Sequence, residues 1–115
     1  MVKNDKSLRL IVELLKREFK PSRLFLFGSR AAKSAGSESD YDFVMVLPNY
    51  SGDRMLAWEK CNELIRKECG VSADVFTYSE SEFKKLTSEF SSIPETALST
   101  GREIDIGIRL SYDNW

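Results

Sequence analysis

Three aspartates and one Gly-Ser turn carry the groups in this chain that could do chemistry. Asp40 and Asp42 stand two residues apart at the head of an apolar run, Phe43-Val44-Met45-Val46-Leu47. At i and i+2 on a strand, both carboxylates point to one side. Like charges so placed repel unless a cation sits between them. Acidic groups this close to a core strand are costly unless paired or coordinated. Hard oxygen ligands suit Mg²⁺, which takes one or two protein carboxylates plus substrate phosphates. A polar, solvent-facing start to the strand is the simpler account, and it suits Asp40 better than Asp42. Asp74 lies inside Val71-Ser72-Ala73-Asp74-Val75-Phe76, an unusual setting for a lone carboxylate. If its strand neighbours that of Asp42, the three carboxylates could hold two metal ions and accept the proton of an attacking hydroxyl. Otherwise Asp74 is an edge-strand aspartate or half of an ion pair.

Gly28-Ser29 falls where a strand gives way to a helix-compatible segment, Arg30-Ala31-Ala32-Lys33. Glycine lets backbone approach a ligand closely. A following helix N-terminus offers free N–H groups and a positive dipole end, which suit phosphate, and the serine hydroxyl adds a donor. A plain turn would explain the pair equally well if it stood alone. The chain contains no histidine, which removes Ser-His-Asp triads, Cys-His pairs and the usual zinc sites. Cys61 and Cys69 are eight residues apart on one expected helix, about 12 Å along its axis. That is too far for a disulfide, so they read as ordinary thiols.

The elements that must position these groups follow from periodicity. Leu8, Ile11, Val12, Leu15 and Phe19 predict a helix from about Asn4 to Phe19, stopped by Pro21 and Ser22. Arg23 to Phe27 and Tyr41 to Leu47 are apolar runs of strand length, the first expected to be buried on both faces. Ser34 to Ser39 is a Ser/Gly loop. Ser51 to about Glu68 predicts an amphipathic helix with Trp58, Cys61, Leu64 and Ile65 inside and Gly70 as its stop. Val71 to Tyr78 is the third strand. Ser79 with Glu82 has capping-box spacing, and the helix it opens carries Phe83, Leu86 and Phe90. Pro94 interrupts that helix, Glu95 to Ser99 resumes it, and Glu103 to Leu110 alternates as a last strand. Helices and strands in this order imply an α/β (α+β) domain, a small mixed β-sheet with helices packed on it.

The chain has 115 residues, 42% hydrophobic, 30% charged, with a formal net charge of -1. The length suits a single domain over 1–115, with a core of about 4–90 and a C-terminal helix, strand and tail over 91–115. Near-neutral charge argues against direct binding of duplex nucleic acid. No apolar run approaches the roughly 20 residues of a membrane span, and the first residues are polar, so a cytoplasmic protein without membrane contact is expected.

Ten residues, Arg30 through Ser39, separate Gly28-Ser29 from Asp40-x-Asp42. A Gly-Ser pair, ten residues, then Asp-x-Asp resembles the signature of the polymerase-β-like nucleotidyltransferase superfamily. The Leu-Phe-Gly-Ser-Arg and Ser-Asp-Tyr-Asp-Phe runs, the leading helix and the third aspartate resemble its minimal nucleotidyltransferase (MNT) domains, over most of residues 4 to 90. The resemblance implies that Gly28, Ser29 and Arg30 bind the triphosphate of ATP. It implies that Asp40, Asp42 and Asp74 ligate Mg²⁺, two ions being expected, and that Asp74 serves as ligand or general base. The reaction implied is attack on the α-phosphate with loss of pyrophosphate. Stand-alone MNT domains resemble the antitoxin halves of two-component toxin–antitoxin systems, whose partner is a HEPN-domain protein. Transfer of AMP to a tyrosine of that partner is then the implied role. One departure stands out: the family often carries Ala-Arg-Gly where this chain has Ala31-Ala32-Lys33. Lys33 is a candidate replacement, but as a point charge at another position it is not equivalent to arginine. The missing arginine motivates a second reading, a non-catalytic module that neutralises its partner by occlusion. Transfer to a small molecule is a third, disfavoured because such enzymes bring an extra helical domain. Asp105, between Ile104 and Ile106, is an alternative third carboxylate, disfavoured because the strand after the second helix is the expected neighbour. Trp58 reads as core or partner contact, Ser79 to Glu82 as a solvated helix start, and Trp115 as part of a loose tail.

Overall fold

The computed structural model describes residues 6–28, 31 and 40–107. Helix α1 spans Lys6–Phe19; Leu8, Ile11, Val12 and Leu15 of its expected stripe are buried together with Leu14, and Phe19 is partly buried. Strands β1 (Arg23–Phe27) and β2 (Tyr41–Leu47) have the bounds read from the sequence. Helix α2 (Arg54–Cys69) begins three residues later than expected. Asp53 is the reason: its carboxylate accepts the Met55 and Leu56 backbone N–H groups and fixes the first turn. Gly70, at φ 73°, ends the helix in the left-handed conformation. Strand β3 spans Ala73–Ser79.

These strands form a mixed sheet in the order β3-β2-β1-β4, where β4 is the two-residue strand Arg102–Glu103. β1 runs antiparallel to β2 and β4, whereas β2 and β3 are parallel. A parallel pair needs a crossover, and α2 supplies it. Side-chain alternation divides the core between the two faces of the sheet. Leu24, Leu26, Phe43, Met45, Ala73 and Val75 pack with α1 and α2. Phe25, Val44, Val46 and Tyr78 pack on the other face with Phe83 of α3 (Glu80–Leu86) and Ala97 of α4 (Ile93–Thr100). The fold is thus the small mixed sheet covered by helices that the sequence predicts.

The C-terminal third departs from expectation. The capping box at Ser79 and Glu82 is present, but α3 ends at Leu86, and Phe90 is 92% exposed. Thr87, Ser88 and Ser92 hydroxyls donate to the carbonyls of Lys84, Lys85 and Leu86, closing off the last turn. Pro94 does not interrupt a helix. It lies in the first turn of α4, behind the cap Ser92, where a missing N–H costs nothing. The last strand is shorter than Glu103 to Leu110: β4 stops at Glu103, followed by one more ladder bond from Ile104 N–H to the Leu24 carbonyl. Residues 108–115, with Trp115, and all of Arg30 to Lys33 except Ala31 lie outside the described residues. Ala31 is buried in a turn.

Candidate functional site

Gly28, Asp42 and Asp74 converge at one end of the sheet. Gly28 follows the last residue of β1, and Asp42 is the second residue of β2. Asp74 is the second residue of β3. Asp42 pairs with Phe27 of β1 on one side and with Asp74 of β3 on the other. Tyr41, Phe43, Ala73 and Val75 all face α1 and α2. Alternation therefore turns Asp42 and Asp74 to the opposite face, side by side. β3 is an edge strand of the sheet and pairs with β2, so Asp74 is an edge-strand aspartate and at the same time the neighbour of Asp42. Asp40 precedes the strand and is exposed. Asp105 lies beyond β4, at the opposite edge of the sheet from β3, and accepts the Gly107 N–H at 2.9 Å. It takes no part in this cluster.

The carboxylate pair is electrostatically loaded. Burial, then the charges of Asp74 and Asp40, and finally a hydrogen bond shared with Asp74 hold the Asp42 carboxyl above its ordinary range. Two half-buried carboxylates within hydrogen-bonding reach of each other invite either a shared proton or a cation. Their hard oxygen donors fit Mg²⁺. Among the described residues no three acidic, histidine or cysteine side chains form a complete metal cage. A Mg²⁺ ion here would complete its shell with substrate oxygens and water, as this ion commonly does. Gly28 keeps the approach open. At φ +77°, it occupies left-handed space, and a Cβ there would stand 2.7 Å from Asp42 Oδ2. Ser29, Arg30 and Lys33, the other expected nucleotide-binding residues, lie outside the described residues.

Trp58 belongs to the site, which the sequence reading missed. Its indole Nε1–H donates to Asp74 Oδ1 at 2.9 Å. A half-buried indole needs an acceptor, and that demand was the available signal. Arg54, one turn earlier on α2, donates to the Thr77 carbonyl and pairs with Glu82, both at 2.9 Å. Its guanidinium lies over the Tyr78 ring. Glu82 is therefore engaged on two sides rather than simply solvated, and its carboxyl is held below the usual range, first by the Ser79 N–H. Arg54, Met55, Trp58, Asp74, Val75 and Phe76 line an apolar groove of about 450 Å³ along β3. Burial pushes the Cys61 thiol up to about 12, so it is no nucleophile, and both cysteines are free.

The chain matches the family model for polymerase beta nucleotidyltransferases over residues 9–104. Two solved structures share its fold. One is a toxin–antitoxin with AMP-PNP, at TM-score 0.56 and 15% identity, covering 85% of this chain and 71% of the other. The second is the toxin–antitoxin MntA–HpeT carrying a tyrosine-to-alanine substitution, at TM-score 0.55 and 15% identity, covering 84% of this chain and 70% of the other. No curated protein matches the chain in sequence. No described helix is long and apolar enough to cross a membrane. The chain belongs to the polymerase β nucleotidyltransferase family.

Proposed function

We propose that this polymerase β-type nucleotidyltransferase domain transfers AMP from ATP to a hydroxyl of a protein partner, and that it acts as the antitoxin of a toxin–antitoxin pair. The observation that carries the reading is the register of Asp42 against Asp74, which brings two mutually repelling carboxylates together at the turn after β1. Gly28, with Ser29, Arg30 and Lys33, would cradle the triphosphate. Asp42 and Asp74, with Asp40, would hold Mg²⁺, which supplies charge neutralisation on the phosphates when bound. The acceptor oxygen forms a bond to the α-phosphorus, the α–β bridging bond breaks, and pyrophosphate leaves with the electron pair. Asp74 takes the hydroxyl proton. In-line placement and charge neutralisation do the catalysis, so the absence of histidine is no handicap. The fold shared with toxin–antitoxin proteins and the resemblance to MNT domains support a HEPN-domain toxin as partner and one of its tyrosines as acceptor. They also support action in the cytoplasm.

The test is incubation with Mg²⁺ and α-labelled ATP, with and without a HEPN-type partner encoded beside it. Label on the partner, lost in an Asp40→Asn/Asp42→Asn double variant, is the expected result. A stable complex without label would overturn transfer. The alanine at position 32, where the family often has arginine, favours occlusion as the second reading. Neutralisation that survives Asp42→Asn and Asp74→Asn would select it.

A further inference from the structure

We infer that Trp58 is a positioning residue for Asp74, holding one carboxylate oxygen so that the other faces Asp42 and the reacting groups; this rests on the proposed function above. The indole has a single N–H donor and no acceptor. Here that donor is committed to Asp74 Oδ1 at 2.9 Å. Asp74 stands beside Asp42 in register. Repulsion between two such carboxylates favours rotation of one away from the other, and a hydrogen bond to a fixed donor opposes that rotation.

The donor is fixed by its helix. One and two turns after Trp58, α2 buries Cys61 and Ile65 completely. One turn before it, Arg54 fastens the helix to the Thr77 carbonyl and to Glu82. Trp58 thus reaches Asp74 from an element anchored independently of the carboxylates. Its ring also lines the groove with Met55, Val75 and Phe76. Packing alone would be met by phenylalanine, whereas the hydrogen bond requires the indole nitrogen. Groups that orient a metal-binding side chain are commonly worth 10–100-fold in affinity.

The experiment uses the full chain and a Mg²⁺ complex of an ATP analogue with a non-cleavable α–β bridge. Only two tryptophans, Trp58 and Trp115, are present, so amide–nitrogen NMR shows two indole signals, assigned with Trp58→Phe. Titration of the wild type should shift the Trp58 signal as the ion occupies the site. Trp58→Phe, folded by circular dichroism, should lose about 10-fold in affinity for the Mg²⁺ complex. In the transfer reaction it should lower kcat and leave KM for the partner unchanged. Trp58→Gln, which restores an N–H without the ring, should regain part of the loss. Wild-type affinity in Trp58→Phe, while Asp74→Asn abolishes binding, would overturn the positioning role alone. An unmoved Trp58 signal, with no binding by the wild type, would overturn the nucleotidyltransferase reading and this inference with it.

Discussion

Replacing Asp42 by asparagine is expected to stabilise the protein without divalent cation and to remove its response to Mg²⁺. Asp42 and Asp74 are direct neighbours on parallel strands, so their backbones lie about 4.8 Å apart. Two unit charges about 5 Å apart repel by about 3 kcal/mol at an effective dielectric of ~20. Asp42 is only half-buried, and solvent screening reduces the net cost to about 1 kcal/mol. The sign follows from proton linkage. The folded state raises the Asp42 carboxyl above its unfolded value of 3.8, so folding takes up protons in the window above that value. Stability therefore falls as pH rises from 3.8 to the folded value, and the full cost is present at neutral pH. Asparagine removes the cost and can donate to Asp74, raising Tm by roughly 3–6 °C. Mg²⁺ at ten times its Kd would add about 1.4 kcal/mol to the wild type and much less to the variant. Thermal unfolding at neutral pH, with chelator and with Mg²⁺, should therefore invert the order of the two proteins. A variant less stable than wild type in chelator, or equal stabilisation of both by Mg²⁺, would refute the reasoning.

Other consequences concern the surroundings of the site. Gly28→Ala should cost about 1–2 kcal/mol from the left-handed backbone alone, measured by urea unfolding. It should also weaken Mg²⁺ binding, because the new methyl displaces the Asp42 carboxylate. Glu82→Gln should lower stability at neutral pH by about 0.5–1 kcal/mol, because it keeps the capping-box acceptor but removes the charge that faces Arg54 and the N-terminus of α3. Since the Glu82 carboxyl is held below its unfolded value of 4.5, its contribution is present above that value. It is lost as pH falls through the folded value, so a pH series of unfolding curves should converge for the two proteins in acid. Phe83→Ala should cost about 3–5 kcal/mol, because its ring is buried against Phe25 at 5.3 Å. Phe90→Ala should stay within about 0.5 kcal/mol, and equal losses at the two positions would restore a longer helix.

How much of this was legible in the sequence depends on where the deciding contacts lie. β1 and β2 were readable because continuous apolar runs are bounded by Pro21 and Gly28, and by Asp40 and Pro48. The meeting of Asp42 with Asp74 was not, because it depends on β3 pairing parallel to β2 across a sixteen-residue helix. Only the resemblance implied it. Phe83, Leu86 and Phe90 keep helical spacing, so periodicity carried α3 too far. What ends the helix is the cluster of hydroxyls from Thr87 to Ser92 taking its last carbonyls, a local competition that apolar periodicity does not register. Trp58 was assigned to core or partner contact because indoles are mostly apolar. Its role turns on one N–H whose acceptor lies sixteen residues away, on β3.

The distribution of stability across the sheet separates fold from function. Both faces are closed by fully buried side chains, Leu24, Phe43 and Val75 on one and Phe25 and Val44 on the other. None of these needs Asp42 or Asp74 in order to pack. At the end where β1, β2 and β3 meet the site, apolar contact gives way to adjacent carboxylates and a left-handed glycine. A fold selected for stability alone would have placed a neutral residue at one of these positions, since local conflicts of this kind weaken a native state. Their presence beside an otherwise consistent core supports the proposal that this end of the sheet receives a cation and a triphosphate. The indole bond to Asp74 fits that proposal, because it holds the conflicting charges in place.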